Sequence, residues 1–436
     1  MSAVIEFPAK PETRPYLGAF TENTNEPQWL RDARRRALSR FAEAGFPNRR
    51  SESWRYLDLR SLQEQPLLPS EKPFTGPLPE SLDDLRLPGG SVYRIEIDGH
   101  GLAGRTRREA LPAGLQLTRF TPDDPKQQEI VEDLVAKSNP DRPFLALGAA
   151  FFTRSYRLTI EPGTVIDKPI EIIHLASGEA EGSFHRLGLI ELGAGSRATV
   201  IETYAGEGRY WRNDITAVNL AEGAALSRAV LVEEAAEAVH TAQLDVTLAT
   251  NAYFDGFALL LNGRRVRHEV EVTFAGEGAR CRFDGAYIVA ANDEANIVTT
   301  IDHQMPGGET RELIKGVAAD RGHGAFQGKI IVREQAQKTD AQQQSRNLML
   351  GRRAVIDTKP ELEIYADDVK CAHGATVGEL DEASLFYLRA RGIPDAEARR
   401  ILIEGFLCEA VEEVADPAVR EYLLRRLAAR LARLEE

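Results

Sequence analysis

Five short stretches decide the fold: RLTIEPG (157–163), GLIELGAG (188–195), AVNLAEG (217–223), LDVTLAT (244–250) and VEVTFAGEG (270–278). In each, apolar and polar residues alternate and then give way to small or turn-forming residues, as in a short strand that ends in a turn. Aligned on their last large apolar residues, Ile160, Leu192, Leu220, Leu248 and Phe274, they recur at intervals of 32, 28, 28 and 26 residues. A loose repeat in this range signals a solenoid or a propeller. Each unit has room for two or three short strands and shows almost no helical periodicity, so leucine-rich and helical repeats fit poorly. A four-stranded propeller blade needs ~40 residues or more. The pattern predicts a parallel β-helix core over residues 143–375, its coils stacked around one continuous interior. Less regular units follow around Ile301, Ala319, Leu350 and Ile364, and the polar stretch REQAQKTDAQQQSRN (333–347) reads as loop bulging between coils.

Helical regions flank this core, an N-terminal one over 1–142 and a C-terminal one over 376–436. Glu26 to Ala44 reads as a helix, with Pro27 in its first turn, Trp29, Ala33, Ala37 and Phe41 on one face, and Gly45 and Pro47 as its stop. Trp54 and Tyr56 follow in a basic-then-aromatic run, where packing is the default role for the rings. Residues 64–90 hold six prolines and read as a connector that wraps the surface. A short helix is predicted near 125–138, ended by Asn139-Pro140. At the other end, helices are predicted over Glu382 to Ala390, over Ala396 to Val414, and from Asp416-Pro417 to the C-terminus. The last carries a narrow stripe, Leu424, Leu427, Leu431 and Leu434, which suits a neighbouring helix or a partner's groove.

Composition narrows the function. The chain has 436 residues, 43% hydrophobic and 28% charged, with a formal net charge of −13. Such acidity argues against a nucleic-acid surface and against anionic membranes. No run approaches ~18 consecutive apolar residues, so no membrane span is predicted. The opening MSAVIEFPAKPETRPYLG lacks the pattern of a secretory signal. The three cysteines, Cys281, Cys371 and Cys408, are too few and too scattered for a disulfide framework, which suits a reducing cytoplasm.

One segment stands out chemically. ADDVKCAHGATVGEL (366–380) places a thiol at Cys371 and an imidazole at His373. Residues i and i+2 of a strand point to the same face, and both groups are ligands for soft or borderline transition metals. Such a pair cannot close a tetrahedral site, which takes about four ligands, so a second surface would have to supply the rest. Other candidates are weaker. The glycine-rich DRGHGAFQGK (320–329) lacks the Walker frame and reads as tight turns of the solenoid, with a structural His323. No G-x-S-x-G elbow is present. His174, His185, His240, His268 and His303 are dispersed singly and read as surface or satisfied core histidines. Cys408, alone on a helix, reads as a small apolar group.

Four longer phrases carry a resemblance: GFPNRRSESWRY (45–56), FQGKIIVREQAQKTDAQQQSRNLML (326–350), DTKPELEIYADDVKCAHGATVGELDE (357–382) and FYLRARGI (386–393). Together they resemble the SufB/SufD family of iron–sulfur cluster assembly scaffolds, and within it the SufD type, across essentially the whole chain. The resemblance implies a right-handed parallel β-helix between helical regions, in a cytoplasmic complex of one SufB, one SufD and two copies of the ATPase SufC. It implies that SufC docks on the C-terminal helices, around Phe386, Tyr387, Leu388, Arg389 and Arg391. SufB would pair with the end of the β-helix through an exposed sheet edge. His373 matches the histidine proposed as a ligand at that junction, and Cys371 is its less supported neighbour. No cofactor is implied to be bound stably; iron or an iron–sulfur cluster would be held transiently between the subunits. The expected role is non-catalytic: binding, positioning and gating. Two alternatives remain at this stage, a β-helix enzyme acting on carbohydrate and a scaffold that forms a homodimer when alone.

Overall fold

The structure, a computed structural model, describes residues 9–69, 84–88, 92–98, 101–102, 111–119, 121, 124–153 and 155–434. Much of the proline-rich connector (70–83 and 89–90) lies outside the described residues.

The repeat is a parallel β-helix flattened into two sheets, each coil giving one strand to each. The first sheet runs from Tyr156–Ile160 through the C-terminal halves of two long strands, Ile170–Leu192 and Arg197–Leu220. It continues through Val239–Leu248, Arg265–Phe274, Glu294–His303 and His323–Val332 to Val355–Ile364. The second runs from Tyr93–Asp98 through the N-terminal halves of the same long strands to Ala225–Glu233 and Tyr253–Asn262. It ends with Arg280–Val289, Glu309–Ala318, Asp340–Met349 and Lys370–Gly378. The five residues aligned from the sequence, Ile160, Leu192, Leu220, Leu248 and Phe274, form one column in register. The column ends with His303, Val332 and Ile364. Such columns fill the interior, and His303 joins its own by stacking on Phe274 at 4.0 Å between ring centroids.

Helical layers cover the outsides. Helices Gln28–Ala44, Pro125–Lys137 and Pro143–Phe151 bury Leu38, Val131, Leu145 and Ala149 with Leu187 and Ile215 of the first sheet. Gln28–Ala44 is capped by Pro27, outside rather than inside its first turn, and closes on Gly45 at φ +74°. Trp54 is buried in the same layer with Arg267 4.0 Å over its ring, so its role is packing. On the second sheet lie Asp395–Val411 and Pro417–Ala432, the latter capped by Asp416. Their Leu407, Tyr422, Leu423, Leu427 and Leu431 bury against Leu231, Leu259, Leu261 and Val317. The C-terminal leucine stripe is therefore spent on the solenoid as well as on its neighbouring helix.

Three expectations are corrected. The polar stretch 333–347 is not all loop, because its second half enters the strand Asp340–Met349. Gly324 and Gly328 sit within the strand His323–Val332 rather than in turns; a Cβ on them would collide with Tyr287 and with Gln343. Residues Pro143–Phe151 form a helix, and the first sheet's opening strand is Tyr156–Ile160.

The five dispersed histidines are all buried, and among the described residues His268 has no hydrogen-bond partner on either ring nitrogen. Burial holds His174 and His303 down at about 4 and His185 and His268 at about 3. In the unfolded chain an imidazole titrates near ~6.5. The unfolded state therefore binds more protons below that pH, and stability is lost as pH falls toward the folded values. Asp284 and Glu312, pushed up by burial to about 6 and about 7, act in the opposite sense, as do Glu171, Asp255, Glu271 and Asp293, which burial also raises; the prediction is that the four histidines outweigh them. The melting temperature is expected to fall steadily from pH 7 to pH 4.5. A flat profile in thermal scans across that range would show that the histidines are not the controlling groups.

Candidate functional site

The solenoid's last coil is open. The strand Lys370–Gly378 pairs with Asp340–Met349, and Val355–Ile364 pairs with His323–Val332. Among the described residues neither terminal strand has a ladder partner on its other side, so each presents a row of free backbone donors and acceptors. Around them, Val355, Ile364, Tyr365 and Val377 are exposed large apolar side chains. Exposed apolar groups gathered at one end of a fold mark an interaction surface. The sequence reading missed these four residues, because an apolar strand residue normally signals the core, and here no further coil covers it.

Cys371 and His373 lie on this terminal strand, one register step beyond Ala341 and Gln343. They share the lumen-facing side, as their spacing requires. Their exposure differs: Cys371 is half-buried against the lumenal core, while His373 is exposed. Burial pushes the Cys371 thiol up, aided by the Asp340 charge, with the Ala341 backbone opposing. A thiol so raised is protonated near neutrality and ligates poorly until a metal or a partner's charge lowers it. Among the described residues no three His, Cys, Asp or Glu side chains gather as a metal-holding group. His373 instead opens onto a cavity of about 340 Å³ that it shares with Gln343, Ser345, Arg346 and Thr376.

The lumen beneath is polar. Gln343, Ser345 and Asn347 point inward from one strand and are almost fully buried. Asn347 accepts a hydrogen bond from Tyr287 at 2.8 Å and donates to Ser345 at 2.9 Å. Gln343 donates to Glu312 at 2.7 Å. A faint signal for this column was present in the sequence: Glu312, Gln343 and His373 follow one another at the repeat's own interval.

The other predicted surface is the short helix Glu382–Ala390, capped by Asp381. Leu385 is buried beneath it, while Phe386 and Tyr387 are 73% and 57% exposed. Leu388 is half-buried, Arg391 lies 5.0 Å over the Tyr387 ring, and Arg389 pairs with Asp395 at 3.3 Å. His323, by contrast, is structural: its Nε2 pairs with Asp357 at 2.7 Å.

Comparison with known proteins fits this architecture. The family described as "SUF system FeS cluster assembly, SufBD core domain" matches residues 174–406, more than half of the chain's 436 residues. The chain belongs to the SufBD family. Among SufBD relatives, the iron–sulfur cluster assembly protein SufD of Escherichia coli is 30% identical over 402 residues, covering 90% of this chain and 91% of its own. SufD of Bacillus subtilis is 25% identical over 94% of this chain and 95% of its own. The chloroplastic protein ABCI7 of Arabidopsis thaliana is 25% identical over 86% of this chain and 81% of its own. SufBD membership also bears on the carbohydrate-enzyme alternative. Such an enzyme would line up acidic and basic side chains on one outer sheet, and here helices cover part of both outer faces.

Proposed function

We propose that this SufBD chain is the non-catalytic SufD-type scaffold subunit of a cytoplasmic iron–sulfur assembly complex. It pairs end to end with a SufB-type subunit and docks an ABC-type ATPase on its C-terminal helices. The observation that carries the reading is the placement of His373, exposed on the lumen side of a terminal strand with a free edge, at an end of the solenoid that also exposes large apolar groups. A second solenoid adding strands to this end would cover the apolar rim, pair the free backbone groups, and bring its own ligands over the imidazole. His373 then supplies one ligand to iron or a nascent cluster, which is cargo and not a resident group. Cys371, half-buried with a raised thiol, is the weaker second donor. ATP-driven dimerisation of the docked ATPases would pull on both helical domains and gate the junction.

Anaerobic co-purification, with iron and sulfide analysis, tests the reading. The expected result is a complex containing a SufB-type subunit and an ATPase, with iron retained. Light scattering of the chain alone, then with those subunits, separates this from a scaffold that only self-pairs through the same end. Recovery of the self-paired form alone would sink the proposal.

The ATPase surface makes its own prediction. Phe386→Ser combined with Tyr387→Ser removes two exposed anchors of the kind that dominate interfaces. ATPase affinity is expected to fall at least about tenfold, or ~1.4 kcal/mol. The melting temperature should hold, because neither ring is buried. Unchanged affinity by calorimetric titration would move the docking site elsewhere.

A further inference from the structure

The lumen changes character over its last coils. One column of the second sheet runs Phe283, Glu312, Gln343, His373, each one strand beyond the last. Glu312 and Gln343 are 3% and 0% exposed. Their contact is direct, Gln343 Nε2 donating to Glu312 Oε2 at 2.7 Å. Gly328 on the facing strand makes the room, since a Cβ there would run into the Gln343 amide and the Phe326 ring. One amide oxygen is left over: among the described residues Gln343 Oε1 is buried and has no hydrogen-bond partner, whereas the Glu312 carboxyl has Thr299 as well as Gln343 for a donor. A buried acceptor without a donor costs ~1–3 kcal/mol, so its presence points to a donor that arrives later. The next group in the column is the His373 imidazole, ~5 Å along the stack, and it lines the same cavity as Gln343.

We propose that Glu312 and Gln343 are positioning residues for His373, a relay inside the lumen that decides which imidazole nitrogen faces the junction. The inference rests on His373 acting as a ligand to iron there. Its logic is the direction of the amide. The NH₂ end of Gln343 is held by a carboxyl oxygen that accepts, so the free end is a carbonyl, which only accepts. A carboxyl carries at most one proton, so one Glu312 oxygen accepts from the amide in either protonation state. When a second subunit closes over the end, the carbonyl takes the N–H of one ring nitrogen. The other nitrogen keeps its lone pair toward the junction, the form in which imidazole binds a metal.

The test uses the full chain in its complex with the SufB-type and ATPase subunits. Ferrous iron is the probe, its dissociation constant read anaerobically by chelator competition. Gln343→Met keeps the length and removes the acceptor. It is expected to weaken iron retention about 10–100-fold, with subunit stoichiometry unchanged and the melting temperature lowered only by the loss of the Glu312 contact. Gln343→Glu shares a proton with Glu312 and still presents an acceptor, so it is expected to recover most of that loss. Glu312→Leu, which frees the amide to turn, carries the same expectation as Gln343→Met should that variant not fold. His373→Ala sets the floor. If Gln343→Met holds iron like the unmodified chain while His373→Ala loses it, the relay falls and the ligand assignment stands. If His373→Ala also holds iron, the ligand assignment falls and takes the relay with it.

Discussion

His373→Ala is expected to abolish cluster assembly by the complex while leaving the complex itself intact. The two halves of that expectation have separate physical grounds. The imidazole is exposed on the last strand, and removing an exposed side chain usually changes stability by less than ~0.5 kcal/mol. Folding and docking should therefore survive. Ligation is different, because a four-coordinate site that loses one of its few protein donors loses most of its affinity. Iron and acid-labile sulfide in the anaerobically purified complex are expected to drop to background, with subunit stoichiometry unchanged by size-exclusion chromatography. Cys371→Ala is expected to do less, since its thiol is half-buried and raised by burial. Undiminished cluster yield from the His373 variant would remove the assignment.

Arg212→Met is expected to lower stability by about 3–5 kcal/mol, seen as a large drop in melting temperature. Arg212 lies in the interior of the early coils, where its Nε donates to Glu234 at 2.6 Å. Glu234 also accepts from Tyr210 and is met by His240 Nδ1 at 3.0 Å. Although burial alone would raise it, the Arg212 charge leads the groups that hold its carboxyl down at about 2. Removing the cation strands a buried carboxylate, a change that typically costs ~3–5 kcal/mol. Adding Glu234→Gln removes the stranded charge, so the double variant is expected to regain part of the loss. Thermal melts of the two single variants and the double one measure that coupling. Additive losses would mean the pair is not a unit.

The two predictions draw on opposite ends of one lumen, and those ends were unequally legible. Ile160, Leu192, Leu220, Leu248 and Phe274 were alignable from the chain alone because a lumenal column must be apolar wherever nothing pairs it. That same column proved to be the register of the first sheet. The C-terminal cap at Asp416-Pro417 was legible for a local reason: a side-chain acceptor followed by a residue without an N–H suits a helix start wherever it occurs. The strand Asp340–Met349 was not legible. Its lumenal positions are Gln343, Ser345 and Asn347, and alternation is invisible when both faces are polar. The helix Pro143–Phe151 hid for the converse reason, being buried almost all round and so lacking an amphipathic stripe.

The sequence by itself determined the coil length, the solenoid class, and the fact that Cys371 and His373 share one face, because these depend on spacing along a strand with period two. Only the tertiary structure decided that this face is the lumen, that the strand is the last of its sheet, and that a buried Glu312–Gln343 pair stands beneath the imidazole. Those facts depend on which coil stacks on which and where stacking stops. Contacts between residues some thirty positions apart leave only a faint trace in the order of the chain.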